Sequence, residues 1–373
     1  MDKQPVSIVR VIIKALLLFA VINLLFARAD RMSYINGLSI YNHLVPARER
    51  FPYGEKPQLA YNLSLYSIEA MFETLSFDSK VKPPDEFRVL VLGDSSIWGT
   101  LLKPEETLTG QLNAMQLVCS GKNVRFYNLG YPTLSLTKDL MILKEGLTFD
   151  YYADLIIWPM TLESFPRSRQ LESPLAANNP SRILALVERY RLNLDTSKLK
   201  RPTFLERTIV GQRRPLADLI RLQLYGFLWA STGVDQYYPP TYEKAAVDLK
   251  DDPSYNTWQP PDFPKDSLAW DVLAAGMRMA GNTPVVLINE PMLVSQGQNS
   301  NIRYNAYYPR WAYDQYRQLW QNTCKQNGWN CLDAWDLVPA TEFTNTAIHL
   351  SQRGEELFAE KIAADLLPNY CTK

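Results

Sequence analysis

Histidine is almost missing from this chain: of 373 residues only His43 and His349 carry an imidazole. Any chemistry that needs a neutral-pH base therefore has two places to find one. Cysteine is scarce too, at four residues, with no CxxC pair and no Cys/His cluster, so the sequence offers no ligand set for zinc or iron. No metal and no cofactor is expected. Net charge is absent, because Lys+Arg and Asp+Glu both number 39. That removes the field that would draw in nucleic acid, which is excluded as a partner. Internal repeats are lacking as well.

What remains is ordinary globular usage, 46% apolar and 21% charged, in a chain long enough for one large domain or one domain with a sizeable insertion. Long apolar runs occur only at the start. Lys3, Arg10 and Lys14 precede an uncharged stretch from Ala15 to Ala27. Alone that stretch has signal-peptide length; extended back to Val6 it can cross a bilayer, with Arg10 and Lys14 snorkelling at the inner end. Residues 1–29 read as an uncleaved signal anchor in preference to a signal cleaved at Ala27-Arg28-Ala29, and a buried amphipathic helix is the plain alternative. Either export reading places the rest outside the cytoplasm. There Cys324 and Cys331, seven residues apart, can close a short disulfide loop, and Cys119 with Cys371 is the possible second pair. The 9 Trp and 21 Tyr fill core and surface, with stacking on sugar rings as the sharper alternative.

Residues 30–86, rich in Tyr, Pro and Arg, read as a stalk and loops, with His43 a structural residue. From 87 onward strands and helices alternate. Strands are expected at 87–92, 124–128, 155–158, 284–288 and 331–335. Helices are expected from 104 through 112, at 137–147, 268–279, 310–327 (stopped by Gly328) and 354–366. Crossovers of more than a dozen residues imply βαβ units and a parallel sheet. Residues 166–265 interrupt the rhythm as a largely helical insertion, with helices at 181–192 and 215–229. The insertion either simply packs on the domain, covers the site, or contacts the membrane or a partner.

Two segments carry chemistry. Gly93-Asp94-Ser95-Ser96-Ile97-Trp98-Gly99 follows the first strand directly, where a sharp turn exposes the Ser95 hydroxyl near unpaired backbone N–H groups. Thr346-Ala347-Ile348-His349-Leu350-Ser351 precedes the last helix. In open α/β sheets reactive groups gather at the carboxyl ends of strands, and both segments belong there.

These blocks, together with Asn128-Leu129-Gly130 and the HisLeuSer-x-x-Gly run from His349 to Gly354, resemble those of the SGNH/GDSL hydrolases in order and spacing. The resemblance covers roughly 87–165 and 268–367. It implies a three-layer α/β/α domain over 87–373 with a central parallel sheet of flavodoxin-like type. It further implies that Ser95 is the nucleophile, His349 its base, and the N–H groups of Ser95 and Gly130 the oxyanion donors. The anchor and insertion are more similar to the branch serving cell-surface glycan acylation, including the D-alanine transfer protein of teichoic acids and alginate acetylation proteins. That implies a cell-surface glycan or acyl-carrying substrate and an integral-membrane acyltransferase partner. Two departures stand out. Thr161-Leu162-Glu163 occupies the family's Gly-x-Asn block, so the third oxyanion donor falls to Thr161 or a protonated Glu163. Thr346 stands where the family has its acid, which leaves a backbone carbonyl, Asn345, or a carboxylate from elsewhere (Glu342 or Asp336) to orient His349. The functional expectation is O-acyl transfer or deacylation through an acyl-Ser95 intermediate; a simple secreted esterase, or a degenerate domain that binds glycan or scaffolds a membrane complex, are the other readings.

Overall fold

Val89 and Val91 project into one core while Leu90 and Leu92 project into another, and all four are fully buried. A strand covered on both faces must be apolar nearly throughout, as this one is. The computed structural model describes residues 7–28, 35, 38, 40–45, 66–75, 82–147, 152–232 and 241–371. Most of the 30–86 stalk, and Ala29 of the cleavage triplet, lie outside these residues.

The strands are β1 (Glu86–Gly93), β2 (Val118–Cys119), β3 (Lys122–Gly130), β4 (Leu155–Met160), β5 (Val285–Asn289) and β6 (Asn330–Asp333). They form one sheet in the order β2-β3-β1-β4-β5-β6. β3, β1, β4, β5 and β6 run parallel to one another, with Gly93 level with Gly130 and Ile157 level with Val91. The sheet is not parallel throughout: β2 pairs antiparallel with β3. Ser120 and Gly121, both at positive φ (52° and 74°), make a two-residue hairpin turn there.

The helices, in chain order, are α1 (Ile8–Arg28), α2 (Ile40–Leu44), α3 (Ile68–Glu73), α4 (Ser95–Trp98), α5 (Leu108–Ala114) and α6 (Leu136–Gly146). There follow α7 (Pro174–Ala177), α8 (Pro180–Tyr190), α9 (Arg213–Thr232), α10 (Trp270–Ala280), α11 (Arg310–Asn327) and α12 (Gln352–Lys361). Leu140, Val272, Leu273, Tyr313 and Trp320 place α6, α10 and α11 on one face of the sheet; Leu108, Leu112 and Phe358 place α5 and α12 on the other. The result is a three-layer α/β/α domain. The last helix is shorter than its apolar spacing suggests: after Lys361 it passes into a single π turn, Ile362–Leu366. Disulfides join Cys119 to Cys371 and Cys324 to Cys331.

The chain leaves β1 over the α5 face and leaves β4 over the α10 face, in opposite directions along the sheet. The carboxyl ends of β1 and β4 therefore flank a topological switch point, where such sheets open a crevice. The insertion departs and returns beside it, its base closed by Arg167 N–H to Ser267 O at 2.7 Å and Ala269 N–H to Phe165 O at 2.9 Å. Among the described residues one helix, α1, is long and apolar enough to cross a membrane, with a mean hydropathy of 2.5.

Candidate active site

The turn after β1 is forced by glycine. Gly93 has φ +145°, and a Cβ there would lie 2.4 Å from Ile97 Cγ1. Asp94 caps the four-residue α4, its carboxylate accepting the Ser96 N–H at 2.8 Å. Ser95 is thus the first helical residue, and its N–H has no partner within the turn. Its side chain is half-exposed between buried Asp94 and Ser96.

His349 reaches Ser95 from 254 residues away in sequence. Its Nε2 lies 2.8 Å from Ser95 Oγ, and its Nδ1 lies 2.8 Å from Asn345 Oδ1. An amide oxygen only accepts, so Nδ1–H donates to Asn345, and the Nε2 lone pair is left for the serine proton. The loop that delivers the ring is built by Thr346, whose Oγ1 accepts the N–H groups of Ile348 and His349. Thr346 therefore folds the loop instead of supplying an acid. Thr344 N–H to His349 O and Leu293 N–H to Ala347 O, both 2.8 Å, tie the loop down. Ser351 caps α12 by accepting the Gly354 N–H. Among the described residues no carboxylate is hydrogen-bonded to the ring, whose Nδ1 faces Asn345. Asp336 is exposed on the surface, and Glu342 accepts from Ser351 Oγ at 2.5 Å. Burial without a compensating charge pushes His349 down to about 4.

The oxyanion donors differ from expectation. Gly130 does pack against the nucleophile turn: a Cβ there would sit 2.4 Å from Trp98 N. Its N–H, however, already donates to Asn128 Oδ1 at 2.9 Å, while Asn128 Nδ2 donates to Ile97 O at 2.7 Å. Asn128 thus clips β3 to α4 and occupies the donor. Thr161 is fully buried and donates its hydroxyl to Tyr308 at 3.0 Å. Glu163 is ion-paired with Arg169 and accepts from Tyr255 OH at 2.8 Å, so it is an acceptor and not a donor. Ser95 N–H is the donor left uncommitted.

A cluster the sequence reading did not single out lies beneath the turn. Lys138 Nζ, fully buried, donates to Gly93 O (2.6 Å) and Tyr131 O (3.0 Å) and pairs with Asp139 at 2.6 Å. It holds together the exits of β1 and β3. Ser96 Oγ donates to buried Glu290 Oε2 at 2.7 Å. Asp94 Oδ2 and Glu290 Oε1 are both buried without a hydrogen bond. Burial pushes Asp94 up to about 6 against the opposing pull of Lys138, and burial plus the Asp94 charge raises Glu290 further. The only sequence signal was the block itself, since Glu290 directly follows β5 and is far from the block in sequence.

Beside the pair the insertion forms a wall. Ala245 N–H donates to Thr344 O at 2.8 Å, and a cavity of about 420 Å³ opens between Glu163, Asp248, Asp252, Arg303 and Tyr307. A smaller one of about 100 Å³ is lined by Tyr307, Asn345 and Thr346. Neither is lined by Ser95 or His349. Of the charges facing the larger cavity, Arg303 donates to Asp252 O and Ser254 O, and Asp248 accepts from Gln298 N–H. Tyr308, Tyr313, Tyr316, Trp158 and Trp320 are fully buried, so much of the aromatic content is core. Among the described residues no three His, Cys, Asp or Glu side chains are grouped to hold a metal ion.

No family model matches the chain, and no curated protein matches it. Solved structures similar to it include a member of the lipolytic G-D-S-L family from Veillonella parvula, at 10% identity over 75% of this chain and 97% of that one, TM-score 0.35. The carbohydrate acetylesterase Est24 from Sinorhizobium meliloti is 14% identical over 74% of this chain and 96% of its own, TM-score 0.33. The aryl esterase of M. smegmatis is 12% identical over 74% and 96%, TM-score 0.31.

Proposed function

We propose that this chain performs acyl-ester chemistry through an acyl-Ser95 intermediate, with His349 as base and Asn345 as the group that fixes its tautomer. The observation that carries this reading is the relay Ser95 Oγ, His349 Nε2, His349 Nδ1, Asn345 Oδ1, with both contacts at 2.8 Å. His349 accepts the Ser95 proton as Oγ attacks the ester carbonyl, then returns it to the leaving alcohol. Water or an acceptor hydroxyl then takes the acyl group from Ser95, completing hydrolysis or transfer. With α1 as an export anchor, the substrate is an extracytoplasmic glycan or lipid-linked ester.

The site is built for low intrinsic turnover. A neutral amide stabilises imidazolium less than a carboxylate does, and one preformed oxyanion donor remains where the family pattern has three. Each missing donor costs about 3 kcal/mol of transition-state stabilisation. That observation also supports the second reading, a degenerate domain that binds glycan or scaffolds a membrane complex. A serine-directed phosphonate separates them. Stoichiometric labelling of the full chain, abolished by Ser95→Ala, supports the enzyme; absence of labelling, or labelling that survives Ser95→Ala, sinks it.

A further inference from the structure

On α1 just two side chains are buried, Asn23 and Ala27, one turn apart on the same face. Asn23 Oδ1 accepts the Val210 N–H of the insertion at 3.3 Å. If α1 spans the bilayer, that contact fixes a depth. Asn23 lies five residues before Arg28, the end of the helix, which at the α-helical rise is about 7 Å inside the outer end of the span. The insertion near 210 must then sit at the membrane boundary, and there it exposes Leu205 (75%) and Val210 (49%).

α9 continues from this point and has three distinct sides. Leu219, Leu222 and Gly226 are buried, with Gly226 so close to the Tyr41 ring that a Cβ would lie 2.6 Å from it. Gln223 binds both Leu38 O (2.8 Å) and Ile40 N–H (2.9 Å), fixing the helix roll. The adjoining side carries the Asp218–Arg221 ion pair together with exposed Tyr225 and Trp229, with Arg221 bordering Leu228 and Asp218 farther round the helix. The third presents Ile220, Leu224, Phe227 and Leu228 outward, exposed by 45–65% and spaced for one helical face. An apolar stripe held outward by a hydrogen-bonded clamp, beside a span and at its depth, matches the boundary between headgroups and acyl chains.

We propose that α9 lies in the membrane interface beside α1, with Ile220, Leu224, Phe227 and Leu228 among the lipid acyl chains. The catalytic domain is thereby seated on the bilayer at two places instead of swinging from one helix. This rests on the reading of α1 as a span and is independent of the chemistry at Ser95.

All four cysteines are in disulfides, so one introduced cysteine labels uniquely. The full chain reconstituted in phosphatidylcholine vesicles is spin-labelled at Ile220→Cys, Leu224→Cys, Asp218→Cys or Leu17→Cys. Collision with oxygen is compared with collision with a water-soluble nickel chelate. At 220 and 224 the oxygen-to-nickel ratio should exceed that at 218 severalfold and approach that at 17. A ratio at 220 and 224 equal to that at 218 overturns the proposal, because the stripe then faces water. Low collision with both reagents at 220 and 224 also overturns it, since protein then covers the stripe. A water-like label at 17 would instead remove the span itself, and so is told apart from failure of α9 alone.

Discussion

At the scale of single residues, the relay is a base with a neutral back. Because burial holds His349 near 4, the imidazole stays unprotonated, and able to accept, through most of the acidic range. The acid limb of kcat/KM for a small ester such as p-nitrophenyl acetate should therefore fall near pH 4 and not near 6.5. Asn345→Asp places a carboxylate behind Nδ1, which raises the His349 value by opposite charge and stabilises imidazolium in the transition state. The acid limb should move to higher pH and kcat/KM at pH 8 should rise by about tenfold or more. An unmoved limb would mean Asn345 does not touch the working ring.

The buried acids make a second residue-scale prediction. Asp94 is raised from 3.8 to about 6, so its contribution to stability is present below about pH 4 and lost as pH rises through 6. His349 works oppositely: its contribution is present above 6.5 and lost as pH falls toward 4. Comparing variants at fixed pH cancels the histidine. Glu290→Gln keeps an acceptor for Ser96 Oγ and removes the carboxyl that burdens Asp94. Urea unfolding should show a gain of about 1–3 kcal/mol at pH 8 and little change at pH 4.5. Equal gains at both would disconnect the two acids.

At the scale of elements, the site is an agreement between β1, β3 and the loop before α12, and glycine sets the tolerance. Gly130→Ala would drive a methyl into Trp98 N, 2.4 Å away, and shift α4. The expected result is a folded chain, less stable by about 1–3 kcal/mol, whose phosphonate labelling slows at least tenfold. Unchanged labelling would mean that α4 can move without cost. What the sequence revealed follows the same division. Strands buried on both faces declare themselves as apolar runs, and Gly93, Gly130 and Gly354 mark backbone approaches that a side chain would block, so the three-layer fold and the Ser95–His349 pair were readable. The two-residue β2 was too short to leave a period. Thr161 and Glu163 were misplaced as oxyanion donors because their partners, Tyr308, Arg169 and Tyr255, come from later in the chain and leave no local trace. Asn345 stood among several orienters for the same reason: only the folded loop decides which one faces Nδ1.

At the scale of the whole molecule, the two disulfides are unequal. Cys324–Cys331 spans 7 residues within one helix-to-strand turn, whereas Cys119–Cys371 spans 252 and fastens the β2 edge to the segment that follows the last helix. In the chain-entropy account the cross-link restricts the unfolded ensemble more as the loop lengthens, by about 2 kcal/mol for the short loop and about 5 kcal/mol for the long one. A domain of marginal stability can lose the first and stay folded, but losing the second removes a large part of its reserve. Urea unfolding of the full chain should accordingly place Cys324→Ser/Cys331→Ser close to the parent. Cys119→Ser/Cys371→Ser should unfold at much lower urea, and reductant should bring the parent down to meet the variant lacking both bridges. Equal midpoints for the two double variants would show that the unfolded chain is already held together near its ends, and that the long bridge adds little.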